Sequence, residues 1–186
     1  VIADHTGLMV AFGGLPLKNA QVDGGGVGRH RTGEWLKTCH DKGVAFINIG
    51  PVREDIAGFA NAEWLTPRPN TDTAVMLGLA HTLVAEGLHD QAFLDRYATG
   101  FGAFKPYLMG ESDGVAKSAD WAAGVSGLSA DDIRALARRM AAGRTMLTAA
   151  WSLQRGDHGE QPFWMLITLA AMLGQIGLPG GGFGFG

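Results

Sequence analysis

Leu8-Met9-Val10-Ala11-Phe12-Gly13-Gly14 is the stretch on which the fold turns. Five apolar residues in a row, with no polar alternation, describe a strand covered on both faces. Such strands belong to parallel sheets clothed by helices. The glycine pair that stops the run marks a tight turn. Val44-Ala45-Phe46-Ile47-Asn48-Ile49, stopped by Gly50-Pro51, repeats the pattern, and so does Thr145 to Ala150. A shorter strand is expected at Glu63-Trp64-Leu65-Thr66, before Pro67 and Pro69.

The intervening segments read as helices. Thr32 to Lys42 is closed by Gly43, and Thr71 to Glu86 is capped by Asn70 or Thr71 and closed by Gly87. Shorter helices are expected at Asp90 to Tyr97 and Ser118 to Ala123. Ser129 opens a helix with an acidic first turn that runs to Ala142, and Gln161 to Leu173 is the last. Gly24 to Arg31 reads as a locally basic loop, and the glycine-rich run from Leu178 to Gly186 as a loop that leads to, or lines, something. The succession is that of an α/β fold: a mostly parallel sheet with helices on both faces, residues 1–186 forming one domain.

Composition narrows the function classes. The 186 residues carry 15 basic and 18 acidic side chains, a formal charge of −3, which argues against a nucleic-acid footprint. A single cysteine, Cys39, makes neither an internal disulfide nor a zinc site. The longest apolar stretch, Phe163 to Leu173, is well short of the roughly 20 residues of a membrane span. Glycine is in excess at 29 residues, so backbone must turn sharply or approach something closely at several places. The opening at Val1 and the glycine-rich ending suggest a piece of a longer protein, with no signal peptide in view and the compartment, periplasmic or cytoplasmic, left open.

Ligands of parallel sheets bind outside the carboxyl ends of the strands. Three segments there carry candidate chemistry. Gly13-Gly14 either presents backbone to a phosphate or is a turn under packing constraint; it matches neither G-x-G-x-x-G nor a phosphate loop. In Pro69-Asn70-Thr71-Asp72, the Asp72 carboxylate either accepts the paired donors of a guanine edge or simply favours a helix N-terminus. Trp151-Ser152-Leu153-Gln154-Arg155 offers a flat ring, an amide and a guanidinium suited to diphosphate, or else closes the core and leaves Arg155 in solvent. Cys39-His40, Asp131-Asp132 and Ser152 form no defensible metal or nucleophile constellation.

Joined together, these segments resemble a known family. Glu63-Trp64 with Asn70 to Gly78, Gly110 to Lys117, Trp151 to Arg155 with Gly159-Glu160-Gln161, and Leu169 to Gly184 are similar to the bis-molybdopterin guanine dinucleotide S- and N-oxide reductases. Dimethyl sulfoxide, trimethylamine N-oxide and biotin sulfoxide reductases belong to that group. The resemblance implies one dinucleotide-binding (Rossmann-like) domain of a multidomain molybdenum enzyme, whose cofactor is bis(molybdopterin guanine dinucleotide)molybdenum. It would place Asp72 on the guanine with Asn70 and Thr71. Gly13, Gly14 and the loop from Pro51 to Arg53 would line the nucleotide. Trp151, Leu153, Gln154 and Arg155 would face the pterin, the diphosphate and the substrate funnel. The metal's side-chain ligand and most of the second pterin site would come from other segments, so neither Ser152 nor Cys39 is a metal ligand. The implied partners are the remaining domains of the same enzyme, a small S- or N-oxide and an unidentified electron donor. Leu15 stands where the family often has asparagine, and Gly50-Pro51 where it often has Asp-Pro, as in a divergent branch. The alternative is a non-catalytic nucleotide-binding α/β module.

Overall fold

The computed structural model describes residues 1–18 and 30–185. Five strands, β1 (Leu8–Phe12), β2 (Ala45–Ile49), β3 (Glu63–Leu65), β4 (Thr145–Ala149) and β5 (Gly182–Phe185), form one sheet in the order β3-β2-β1-β4-β5. Every pairing is parallel. The run that decides the reading is the central strand: Val10 lies between Ile47 of β2 and Leu147 of β4. Val10, Ala11 and Phe12 are all inaccessible to solvent.

Alternation along the strands sorts two cores. Leu8, Val10 and Phe12, with Ile47, Ile49, Leu147 and Ala149, face the larger helical layer. That layer contains α3 (Asp72–Ala85), α6 (Ala119–Ser126), α7 (Ala130–Ala142) and α8 (Glu160–Met172), with α4 (Gln91–Tyr97) against α8 and α5 (Phe101–Leu108) beside α3. The middle of α3, from Ala74 to Ala80, is buried throughout, so it is the axis of the layer. A Cβ on Gly78 would sit 2.7 Å from the Ala122 methyl, which is why α6 can lie so close to it. Met9 and Phe46 face the other way and pack with Leu36 and Cys39 of α2 (Thr32–Asp41), close to α1 (Ile2–His5). Helices therefore cover both faces, as the sequence reading requires.

Boundaries differ from that reading by one to three residues, most at α6, which runs on to Ser126; α1 was not expected, and two further differences are substantive. The glycine-rich tail contains a strand: Gly182-Phe183-Gly184-Phe185 pairs with β4, whose open edge supplies the hydrogen bonds that glycine's weak strand preference does not. Helix α5 was hidden by Pro106, which lies in its second half. The Gly24 to Arg31 loop falls outside the described residues up to position 29. Ser129 caps α7 as expected, its Oγ accepting from the N–H groups of Asp131 and Asp132. Thr71, by contrast, precedes α3 without capping it. The amino end of the sheet is sealed by buried bonds. The Gln175 amide bridges Thr145 N and the Gly143 carbonyl, and the Thr6 hydroxyl donates to the Gly180 carbonyl at 2.6 Å. At the carboxyl end the loops leave a cavity that gathers the candidate residues.

Candidate functional site

Four loops meet at the carboxyl ends of β1 to β4, and the strand ladder continues one residue into three of them. Gly13 N donates to Ile49 O at 2.7 Å, Gly50 N to Leu65 O at 3.0 Å and Ala150 N to Phe12 O at 2.8 Å. Beyond that level the loops separate around a cavity of about 360 Å³.

Glycine makes the close approach possible. Gly13 and Gly14 both have φ of +80°, a left-handed conformation that side chains resist. A Cβ on Gly13 would reach 2.5 Å from Leu153 Cδ1, and one on Gly14 would collide with the Asp55 carbonyl. That carbonyl accepts from Leu15 N at 2.6 Å, and the Asp55 carboxylate pairs with Lys18 at 2.8 Å. The first two loops are thus fastened to each other, with Pro51 and Asp55 on the cavity wall.

The third loop is fixed from behind. Arg68 Nη1 donates to the carbonyls of Gly124 and Val125 at 3.0 and 2.9 Å, and its N–H donates to Ser126 O, tying the loop to the end of α6. The Thr71 hydroxyl is used internally, donating to Arg68 O at 2.6 Å. Asn70, at φ +66°, lays its side chain on Gly156; a Cβ there would be 2.5 Å from Asn70 Oδ1. Asp72, the first residue of α3, lines the cavity. Burial pushes its carboxyl up from the ordinary value, partly offset by its own N–H.

The fourth loop begins as a 3₁₀ turn, Trp151–Arg155. Leu153 enters the same cavity, whereas Trp151 and Gln154 line an adjoining one of about 380 Å³ with Glu160, Phe163 and Trp164. The rings of Trp151 and Phe163 are 6.4 Å apart, and Gly159 is seated under the Gln154 carbonyl.

The sequence-derived candidates are therefore placed as follows. Gly13, Pro51, Asn70, Asp72 and Leu153 line one cavity, and Gly14 buttresses its wall. Thr71 supports the loop, Trp151 and Gln154 occupy the neighbouring cavity, and Arg155 is exposed. Arg53 belongs to a separate cavity with Asn48, Glu54, Asn61 and Trp64. The cavity is also lined by residues that sequence reasoning did not name as site residues, among them Asp55, Arg68, Ser152 and Gly156. Among the described residues, no group of three or more His, Cys, Asp or Glu side chains could hold a metal ion. No described helix is long and apolar enough to cross a membrane. Cys39 is buried under α2, and burial raises its thiol pKa.

This arrangement can be set beside known proteins. The family model described as "Molybdopterin oxidoreductase" matches residues 2–186. The chain belongs to the molybdopterin oxidoreductase family. Within it, the chain is 52% identical over 184 residues to a dimethyl sulfoxide/trimethylamine N-oxide reductase of Cereibacter sphaeroides, covering 99% of this chain and 22% of that protein. It is 47% identical to a biotin sulfoxide reductase of the same organism, covering 100% of this chain and 25% of that one. Trimethylamine-N-oxide reductase 1 of Escherichia coli K12 is 51% identical over 146 residues, covering 77% and 17%. The chain thus spans about a quarter or less of the length of these relatives. Among solved structures, acetylene hydratase from Pelobacter acetylenicus superposes with a TM-score of 0.73 at 22% identity, over 92% of this chain and 22% of that one. That likeness is one of fold.

Proposed function

We propose that this chain holds one guanine dinucleotide of a bis(molybdopterin guanine dinucleotide)molybdenum cofactor, in a larger enzyme that reduces an S-oxide or N-oxide by oxygen-atom transfer. The observation that carries the reading is Asp72. Its carboxylate is half-buried at a cavity wall, accepts from its own N–H and has no side-chain partner among the described residues, so it retains capacity to accept from a ligand. Guanine presents two adjacent N–H donors that a carboxylate takes together, and adenine lacks that pair. The glycines at 13, 14 and 156 let Leu153, Asp55 and Asn70 pack directly against backbone, which draws the loops together around the cavity. The strand order supports a Rossmann-like reading, since dinucleotides bind at the carboxyl ends where that order reverses, here between β1 and β4.

In this reading Asp72 selects the base, with Asn70 and Thr71 shaping its loop. Gly13, Gly14 and Pro51 border the nucleoside and diphosphate, Arg53 lies in a separate cavity and takes no part in that border, and Trp151, Leu153, Gln154 and Arg155 face the pterin side. When bound, the molybdenum cofactor supplies the two-electron redox chemistry, and the protein supplies binding and orientation. The relatives' names, all reductases of oxides, favour this over a non-catalytic nucleotide-binding module.

Asp72→Asn in the full-length protein tests it. Losing charge-assisted acceptance costs about 1.5–3 kcal/mol, so guanine nucleotide retained through purification should fall roughly ten- to a hundredfold. Undiminished retention would contradict the assignment.

A further inference from the structure

Asn48 is an anomaly in the core. It lies in β2 with no solvent exposure, in register with Ala11 of β1 and Trp64 of β3. Its Oδ1 is buried without a hydrogen-bond partner among the described residues. A buried acceptor left unpaired destabilises a fold, and an apolar residue of similar shape would avoid the penalty. Sheet stability therefore does not account for an amide here.

The other end of the amide does. Asn48 Nδ2 donates to Val52 O at 3.2 Å and to Arg53 O at 3.3 Å, reaching from the strand to the two residues in the middle of the following loop. That loop puts Pro51 and Asp55 on the cavity, and Asp55 in turn receives Leu15 N, the seat of Gly14 and Lys18. The clamp thus holds the middle of one wall, whose start is tied separately by Trp64 Nε1 donating to Gly50 O at 2.8 Å, and through Leu15 N that wall is joined to a second.

We propose that Asn48 is a positioning residue of the nucleotide pocket, which fixes the Pro51–Asp55 wall at the expense of fold stability. The inference rests on reading the Asp72 cavity as the guanine site.

The test uses full-length protein with two variants. Asn48→Val removes both the clamp and the orphaned oxygen. The cofactor-free protein should melt no lower than wild type, while guanine nucleotide retention falls about tenfold. A merely structural role predicts that melting temperature and retention fall together, and that result would overturn the proposal. Asn48→Asp keeps the shape but sets a carboxylate against two carbonyl oxygens. Protonation restores one donor, and burial raises the pKa at which this happens. Retention relative to wild type at the same pH should therefore climb as pH is lowered from about 8 to about 5.5. A flat ratio would overturn the proposal. Asp72→Asn is the control: full retention there defeats the guanine reading, whereas loss there with intact Asn48 variants defeats only the Asn48 inference.

Discussion

The two ends of the site are built differently. Around Asp72 the walls are backbone, glycine and proline, cross-tied by Arg68, Leu15 and Lys18. Around Trp151 they are large aromatic rings with little cover: Trp151 is 56% exposed and Trp164 63%. The first end is held by ties within this chain, and the proposed function gives it the selection of a base edge. The second presents wide apolar surface on α8, a helix apolar on nearly every side, as expected of a surface completed by the cofactor and by other parts of a longer enzyme.

The sharpest way to break this contrast is at Gly14. Alanine there meets both a left-handed φ and the Asp55 backbone, so the two fastened loops must part. Equilibrium unfolding of the full-length protein should show a loss of about 2–4 kcal/mol, with nucleotide retention abolished. A neutral Gly14→Ala would mean that the Asp72 end is not rigidly built.

A subtler probe is pH. The Asp72 carboxyl is raised by burial, so the cofactor-free fold binds that proton more tightly than the unfolded chain does. Its charge therefore opposes folding, and this contribution grows as pH rises from the ordinary carboxylate value through the raised one. The proposed guanine recognition needs the charged form and should be lost as pH falls through the same window. Asp72→Asn should flatten the stability slope in that window and leave the cofactor-free protein slightly more stable at neutral pH, opposite in sign to its effect on retention. Chemical denaturation at several pH values reads this directly.

The smallest effect belongs to the aromatic end. Trp164→Ala should change the stability of the cofactor-free protein by no more than about 0.5 kcal/mol, because the ring is largely in solvent. A loss comparable to that at Gly14 would erase the distinction between the two ends.

Much of this architecture was legible in the chain. Leu8 to Phe12 announced a strand buried on both faces, and Ser129, Gly43 and Gly87 marked helix ends. The position of Asp72 at the sheet's rim was legible from an acid opening an apolar helix after a strand, whereas its assignment to guanine came only from the family resemblance. Strand β5 was not legible, since Gly-Phe-Gly-Phe becomes a strand only through the edge of β4. Helix α5 was masked by Pro106, whose missing N–H the surrounding turns tolerate. Asp55, Arg68 and Gly156 escaped because their roles come from what crosses over them: the Leu15 amide, the α6 carbonyls and the Asn70 side chain. Asn48 was visible only as a polar letter in an apolar run. Its meaning depends on a loop carbonyl four residues away in sequence.

The most direct measurement is a crystal structure of the full-length enzyme with its cofactor. The account predicts a guanine whose two adjacent N–H groups lie about 2.7–3.1 Å from the Asp72 carboxylate oxygens, between the Gly13–Leu15 and Pro67–Asn70 walls. A guanine bound elsewhere, or this cavity filled by side chains from another domain, would contradict it.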